Sequence, residues 1–314
     1  MSPLQDDLLG VRDRLKRAAE ERGLAGRIAR NLSPTLPAIV CVDVGASYYP
    51  HPRWKLFLQS PRTQWVAVDP NADNLSYTAD WRWSCQLRTC AVGLSGTGGK
   101  RTLYVTNVDS GSSLLEPVIP ESMRERITDR GYFFPVTERI IETLPLADVL
   151  TSTSEGAPVL VKLDTQGTEL EILRGAEALI DAGRIVGVES EATLLAQPVM
   201  NGSGKFSELV EYLEAHGFEL LEIDPVYAPS SLRTRRRGGH SWLNECNAAF
   251  ALRPDVARAR SVETRAAMLG MYVSYGMYGE AVSALDRDPE LMKLLRSAGC
   301  DLRRLRLLLV GSRR

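Results

Sequence analysis

The chain has 314 residues, 44% of them hydrophobic and 25% charged, with a formal net charge of −1. This is the composition of an ordinary globular protein, long enough to bury a large core without covalent staples, and its near-zero charge excludes a global field that would recruit nucleic acid or anionic lipid. The five cysteines (Cys41, Cys85, Cys90, Cys246, Cys300) form no C-x-x-C pair and the three histidines (His51, His216, His240) stand far apart, which argues against both a disulfide framework and a zinc spacing.

The first 23 residues carry charges throughout and lack the apolar core of a signal peptide. No apolar run is long enough to span a bilayer, so a cytoplasmic protein is expected. Residues 4–31 place Leu8, Val11, Leu15 and Ala18 on one face at helical spacing, which predicts one or two amphipathic helices ending near Asn31 to Pro34. From residue 38 the pattern changes to short β-branched runs alternating with helical stretches. The runs are 38–43, 64–69, a weaker one at 87–92, then 158–164, 184–189, 218–223 and 247–252, with 100–105 as an accessory strand. Near-continuous apolar runs are what a parallel sheet buried on both faces requires. Helical stretches such as 168–181 and 205–216 supply the crossovers. The sixth and seventh runs, joined without a clear helix, predict an antiparallel pair at the sheet end. The fold class is therefore α/β, a doubly wound, mostly parallel seven-stranded sheet. It would occupy residues 38–254, between helical extensions at 1–37 and 255–314. The terminal helices are the candidates for a homo-oligomer contact.

In such a sheet, ligands bind beyond the carboxyl ends of the strands, where strand order reverses. The first strand ends in Asp43-Val44-Gly45-Ala46, a carboxylate beside a turn glycine, and the second in Asp69-Pro70-Asn71. An acidic side chain at the latter position accepts hydrogen bonds from both hydroxyls of a ribose. A dinucleotide would need G-x-G-x-x-G, but Gly45 is followed by Tyr48-Tyr49-Pro50-His51-Pro52. The Gly98-Gly99-Lys100-Arg101 segment likewise lacks the spacing of a P-loop. A ligand with a ribose and no phosphate fits these ends, and S-adenosylmethionine is the common one.

The fourth strand holds the sharpest feature. Lys162 and Asp164 are two apart, on one face at its carboxyl end. A lysine in an apolar central strand must be paired, by Asp164 or a neighbouring carboxylate. Thr168 and Glu171 have the spacing of a capping box, opening a helix that buries Leu170, Leu173 and Ala176.

The stretch Val159-Leu-Val-Lys-Leu-Asp-Thr-Gln-Gly-Thr-Glu-Leu-Glu-Ile-Leu-Arg-Gly-Ala176 resembles the signature of the FkbM family of methyltransferases, roughly apolar-K-x-D-x-x-G-x-E-x-x-x-L-x-G. The segments at 42–46, 66–71, 91–96, 110–115, 144–150 and 187–191 resemble family counterparts in the same order, so the likeness covers about residues 38–252. It implies a class I, Rossmann-like methyltransferase fold and transfer of methyl from S-adenosylmethionine to a hydroxyl of a carbohydrate or polyketide-like metabolite. By the same resemblance, Asp43, Gly45 and Ala46 would line the methionine end of the cofactor. Asp69 with Pro70 would hold the ribose, and Ala91 and Val92 would neighbour the adenine. Asp164 becomes the candidate base, or the organiser of a divalent metal, with Lys162 and Glu189 or Glu191 as partners. The Tyr48–Pro52 stretch departs from the family pattern, which leaves a second reading open: a non-catalytic cofactor- or glycan-binding protein that keeps the fold.

The acceptor itself would be a small molecule or a glycan. Between the sixth and seventh runs, Arg235, Arg236, His240 and Trp242 offer bidentate donors and a stacking face for it, and Glu191 just past the end of the fifth run is a further candidate to bind it. The basic patch is too short and isolated to predict a nucleic-acid partner.

Overall fold

The computed structural model describes residues 23–47, 52–79, 83–118, 135–195, 199–227 and 243–311. In chain order the elements are α1 (Leu24–Leu32), β1 (Ile39–Val44), α2 (Lys55–Leu58), β2 (Thr63–Val68), α3 (Ala72–Ala79), β3 (Gln86–Cys90), β4 (Gly93–Leu94), β5 (Gly99–Thr106) and β6 (Pro135–Leu144). Next come α4 (Leu146–Leu150), β7 (Val159–Leu163), α5 (Glu169–Gly175), α6 (Glu177–Asp181), β8 (Ile185–Thr193), α7 (Phe206–Ala215), β9 (Phe218–Tyr227) and β10 (Leu243–Leu252). The last helices are α8 (Pro254–Arg258), α9 (Val262–Ser274), α10 (Tyr278–Arg287), α11 (Pro289–Ser297) and α12 (Leu302–Gly311). Residues 4–22 of the stretch 4–31 predicted to form one or two amphipathic helices, and the basic segment with Arg235, Arg236, His240 and Trp242, lie outside the described residues.

The main sheet has the order β3-β2-β1-β7-β8-β10-β9. Its first five strands run parallel, and β10 inserts antiparallel between β8 and β9. This is the doubly wound, mostly parallel seven-stranded sheet expected from the apolar runs, including the antiparallel pair at its end. Strand β1 is buried at every position and β7 at all but Lys162, as a strand covered on both faces must be. Strand order reverses between β1 and β7. Right-handed crossovers leaving them in opposite directions place α2 and α3 on one face and α5, α6 and α7 on the other.

The cover over β8 and β10 on the α2 side comes from the C-terminal segment. Helix α9 packs on β8, β10 and α2, and Ala266, Ala267, Met268, Leu269, Met271, Tyr272 and Val273 are all buried along it. A helix apolar nearly all round is an interior helix. Helices α10 and α11 pack against it, and α12 packs on both of these. Contact with α2 is so close that a Cβ on Gly270 would stand 2.5 Å from the Phe57 ring. Helix α12 also packs on α1, where Asn31 and Asp301 exchange hydrogen bonds of 2.9 and 3.2 Å.

The accessory strand expected at 100–105 is β5, and it belongs to a second, three-stranded sheet of order β4-β6-β5, whose strand β6 was not anticipated. One local expectation needs correction: the capping box does not form. Thr168 makes no side-chain cap bond, and Glu171 is drawn away to Arg101 at 2.9 Å and the Gly96 N–H at 3.1 Å. Leu170, Leu173 and Ala176 are nevertheless buried as expected. All five cysteines are free thiols, and among the described residues no helix is long and apolar enough to cross a membrane.

Candidate active site

The tips of β1, β2 and β7 converge. Gly45 turns the chain at φ +76°, and both its N–H and that of Ala46 donate to the Val68 carbonyl, at 2.9 and 3.1 Å. A Cβ on Gly45 would lie 2.0 Å from the Asp164 carbonyl oxygen. The glycine is required because the tips of β1 and β7 nearly touch and because its φ is left-handed. At the end of β2, Asp69 is 7% exposed. Its Oδ1 accepts from the Asn71 N–H at 2.7 Å and from Asn74 Nδ2 at 3.2 Å, which ties the carboxylate to the start of α3.

Sheet register sets Asp43, Lys162 and Glu189 side by side across β1, β7 and β8. Lys162 Nζ stands 3.3 Å from Asp43 Oδ1 and 3.3 Å from Asp164 Oδ2. Burial alone would push the Lys162 ammonium down, but the carboxylates of Asp43, Asp164 and Glu189 outweigh it and hold the pKa above its ordinary value. The lysine is a fixed charge. Glu189 is buried and accepts a short hydrogen bond from the Tyr275 hydroxyl, from the residue that follows α9.

Beyond β7 the loop is strung on carboxylates. Buried Glu169 accepts from the Thr165 N–H at 2.8 Å, the Thr165 hydroxyl at 2.9 Å and the Gly167 N–H at 3.0 Å. Gln166 adopts a left-handed φ of 58°, uncommon for a side-chain-bearing residue. There its amide reaches Asp164 Oδ1 at 3.4 Å and donates to Glu191. Burial, then the charges of Asp164, Glu245 and Glu169, raise the Glu191 carboxyl well above its usual range. Burial and the same neighbours Asp164 and Glu169 push Glu245 up to about 7.

Above the strand tips lies a cavity of about 610 Å³, within the range of small-molecule sites. Of the residues singled out in the sequence, Gly45, Asp69, Pro70, Val92, Lys162 and Asp164 line it. Asp43 lies beneath, 2% exposed, and Ala46 is buried behind the turn. Ala91 is exposed and outside the lining, where Gly93 and Leu94 stand beside Val92 instead. Glu191 lies in a neighbouring small pocket with Gln166 and Glu245. Sequence reasoning assigned no role to Asn71, Asn74, Ser112 or Ser113, which also line the cavity. The signals were present in Pro70-Asn71 and in the 110–115 segment. Among the described residues no three His, Cys, Asp or Glu side chains form a metal-binding set.

The cavity suits a nucleoside without phosphate. Apolar walls (Val44, Val68, Leu94, Leu103) can cover a base, and Asp69 adds a carboxylate to the same lining. The Ser47 hydroxyl lines the cavity, buried without a hydrogen-bond partner. Asp69, Asp164 and Lys162 leave the lining with a net charge of −1, which suits a cationic sulfonium. Fold and site together define a class I methyltransferase that uses S-adenosylmethionine. The FkbM methyltransferase domain profile matches residues 43–220, more than half of the chain, and the chain belongs to that family. No curated protein matches it significantly. Among solved structures, precorrin-6y C5,15-methyltransferase of Geobacter metallireducens is 13% identical, over 73% of this chain and 87% of that one, with a TM-score of 0.31. A SAM-dependent methyltransferase of Anabaena variabilis is 12% identical over 74% and 85%, with a TM-score of 0.31. The 1,6-didemethyltoxoflavin-N1-methyltransferase of Burkholderia thailandensis is 12% identical over 79% and 87%, with a TM-score of 0.26.

Proposed function

We propose that this enzyme methylates a hydroxyl oxygen of a carbohydrate or polyketide-like small molecule. The supporting observation is Asp164, a carboxylate 38% exposed on the wall of the cavity and held between Lys162 and Gln166. A hydroxyl attacks poorly until a positioned base takes its proton. In this reading Asp164 takes that proton, Lys162 holds its carboxylate in position at 3.3 Å, and Glu189 helps to set Lys162. Bound S-adenosylmethionine supplies the electrophilic methyl carbon. In this reading Asp69 binds the ribose hydroxyls, Gly45 and Pro70 let the backbone approach the cofactor, and Val92 with Gly93 and Leu94 covers the adenine. Asp43 acts from beneath, as the buried partner of Lys162. Glu191 acts through Gln166, which it orients toward Asp164.

The experiment is a methyl-transfer screen against hydroxylated sugars and polyketides, with product followed as S-adenosylhomocysteine and the modified atom located by NMR. Methyl on oxygen, lost in Asp164→Asn, is the expected result. Methyl on nitrogen or carbon, or full turnover in Asp164→Asn, would sink the reading.

A further inference from the structure

The row Asp43, Lys162, Glu189 has an imbalance. With Asp164, three carboxylates surround one ammonium. The next strand adds no cation, because Ala249 of β10 stands opposite Glu189. A buried carboxylate needs donors, and Glu189 is given one from far along the chain. Tyr275 is 8% exposed and donates to Glu189 Oε2. The Arg53 guanidinium lies 5.1 Å from the centre of its ring and is itself paired with Glu222 of β9. The tyrosine is thus held from both ends, by a carboxylate at its hydroxyl and a cation over its face. Burial first, then the charge of Glu189, raises the Tyr275 phenol above its ordinary pKa, so it remains a donor. Both Tyr275 and α9, which carries it, lie outside the family match at 43–220.

We propose that Tyr275 is a positioning residue of the cofactor site. It fixes Glu189, against which Lys162 is set in the lining of the cavity, so the C-terminal helices are a working part of the active site. The proposal rests on the cavity being the cofactor site.

The test titrates the full chain with S-adenosylhomocysteine by calorimetry, as wild type, Tyr275→Phe, Glu189→Gln and the double variant. Tyr275→Phe removes one hydroxyl and keeps the ring. It is expected to weaken binding about 3- to 10-fold, on the scale of one ordinary hydrogen bond. The double variant should bind like Glu189→Gln alone, because the two residues act in series. Unchanged affinity in Tyr275→Phe, or losses that simply add, would overturn the role of Tyr275. No binding by the wild type would instead defeat the placement of the cofactor. Should Tyr275→Phe fail to fold by circular dichroism, Glu189→Gln decides: weakened binding supports the proposal, and unchanged binding overturns it.

Discussion

Asp43 and Asp164 stand at the same distance, 3.3 Å, from one ammonium, yet replacing each by asparagine should give very different proteins. Asp43 is 2% exposed, and Lys162 itself only 13%. Asp43→Asn removes the charge on the buried side, and breaking a buried pair from one side costs about 3–5 kcal/mol. The carboxylate of Asp164 is 38% exposed. Water screens that contact, and exposed pairs are worth roughly 1 kcal/mol or less. Lys162 would still face Asp43 and Glu189 after Asp164→Asn, so no unpaired ammonium is created. In a chain of this size each kcal/mol moves the midpoint by roughly 2 °C. Thermal melts should therefore fall by about 6–10 °C for Asp43→Asn and by about 2 °C or less for Asp164→Asn. Affinity for S-adenosylhomocysteine should survive in Asp164→Asn, while turnover drops on the order of 100-fold or more once an acceptor is in hand. If Asp164→Asn melts as low as Asp43→Asn, Asp164 is a structural counter-ion and its role as base falls.

Asp69→Ala should weaken S-adenosylhomocysteine binding by about 1.5–3 kcal/mol, or about 10- to 100-fold, through lost charge-assisted hydrogen bonds; an unchanged dissociation constant in a folded variant removes Asp69 from the site. Gly45→Ala drives a methyl group to 2.0 Å from the Asp164 carbonyl at a left-handed φ, so urea unfolding should report a loss of about 3 kcal/mol or more, and wild-type stability would contradict the close approach of β1 and β7. Glu245, raised to about 7 from an ordinary 4.5, is protonated in the folded state over a range where the unfolded chain has released the proton. Its contribution is therefore complete below about pH 4.5 and lost as the pH rises through about 7. Glu245→Gln should gain on the wild type in melts taken from pH 5 to pH 8, and parallel curves would refute the shift.

The central strands β1, β2, β7 and β8 were legible because they are buried on both faces, so composition alone marks them. Strand β6 was not, because most of its side chains are exposed and a strand without a buried face leaves no period to read. The Thr168 and Glu171 spacing suggested a cap, but Arg101 of β5 claims the glutamate, a tertiary partner that local spacing cannot reveal. Lys162 could be seen to need a carboxylate. That Asp43 supplies the buried one follows from the pairing of β1 with β7, which depends on strand order. The hydroxyl of Tyr275 meets Glu189 across 86 residues, and no motif connects them. Asp69 and Asp164 were readable because strand ends in such sheets are where ligands sit.

The insertion of β10 between β8 and β9 has a consequence for how the chain is made. A nascent polypeptide emerges N-terminus first, so β1, β2, β3, β7 and β8 can pair before β10 has emerged. Until then β8 presents a bare hydrogen-bonding edge, and its face toward α2 lacks α9. Unpaired edges and uncovered apolar faces are what draw partly folded chains together. The last quarter of the molecule thus acts as a latch on synthesis. A product released before Ser274 carries a sheet with an open flank, which marks it for chaperones, proteases or aggregation.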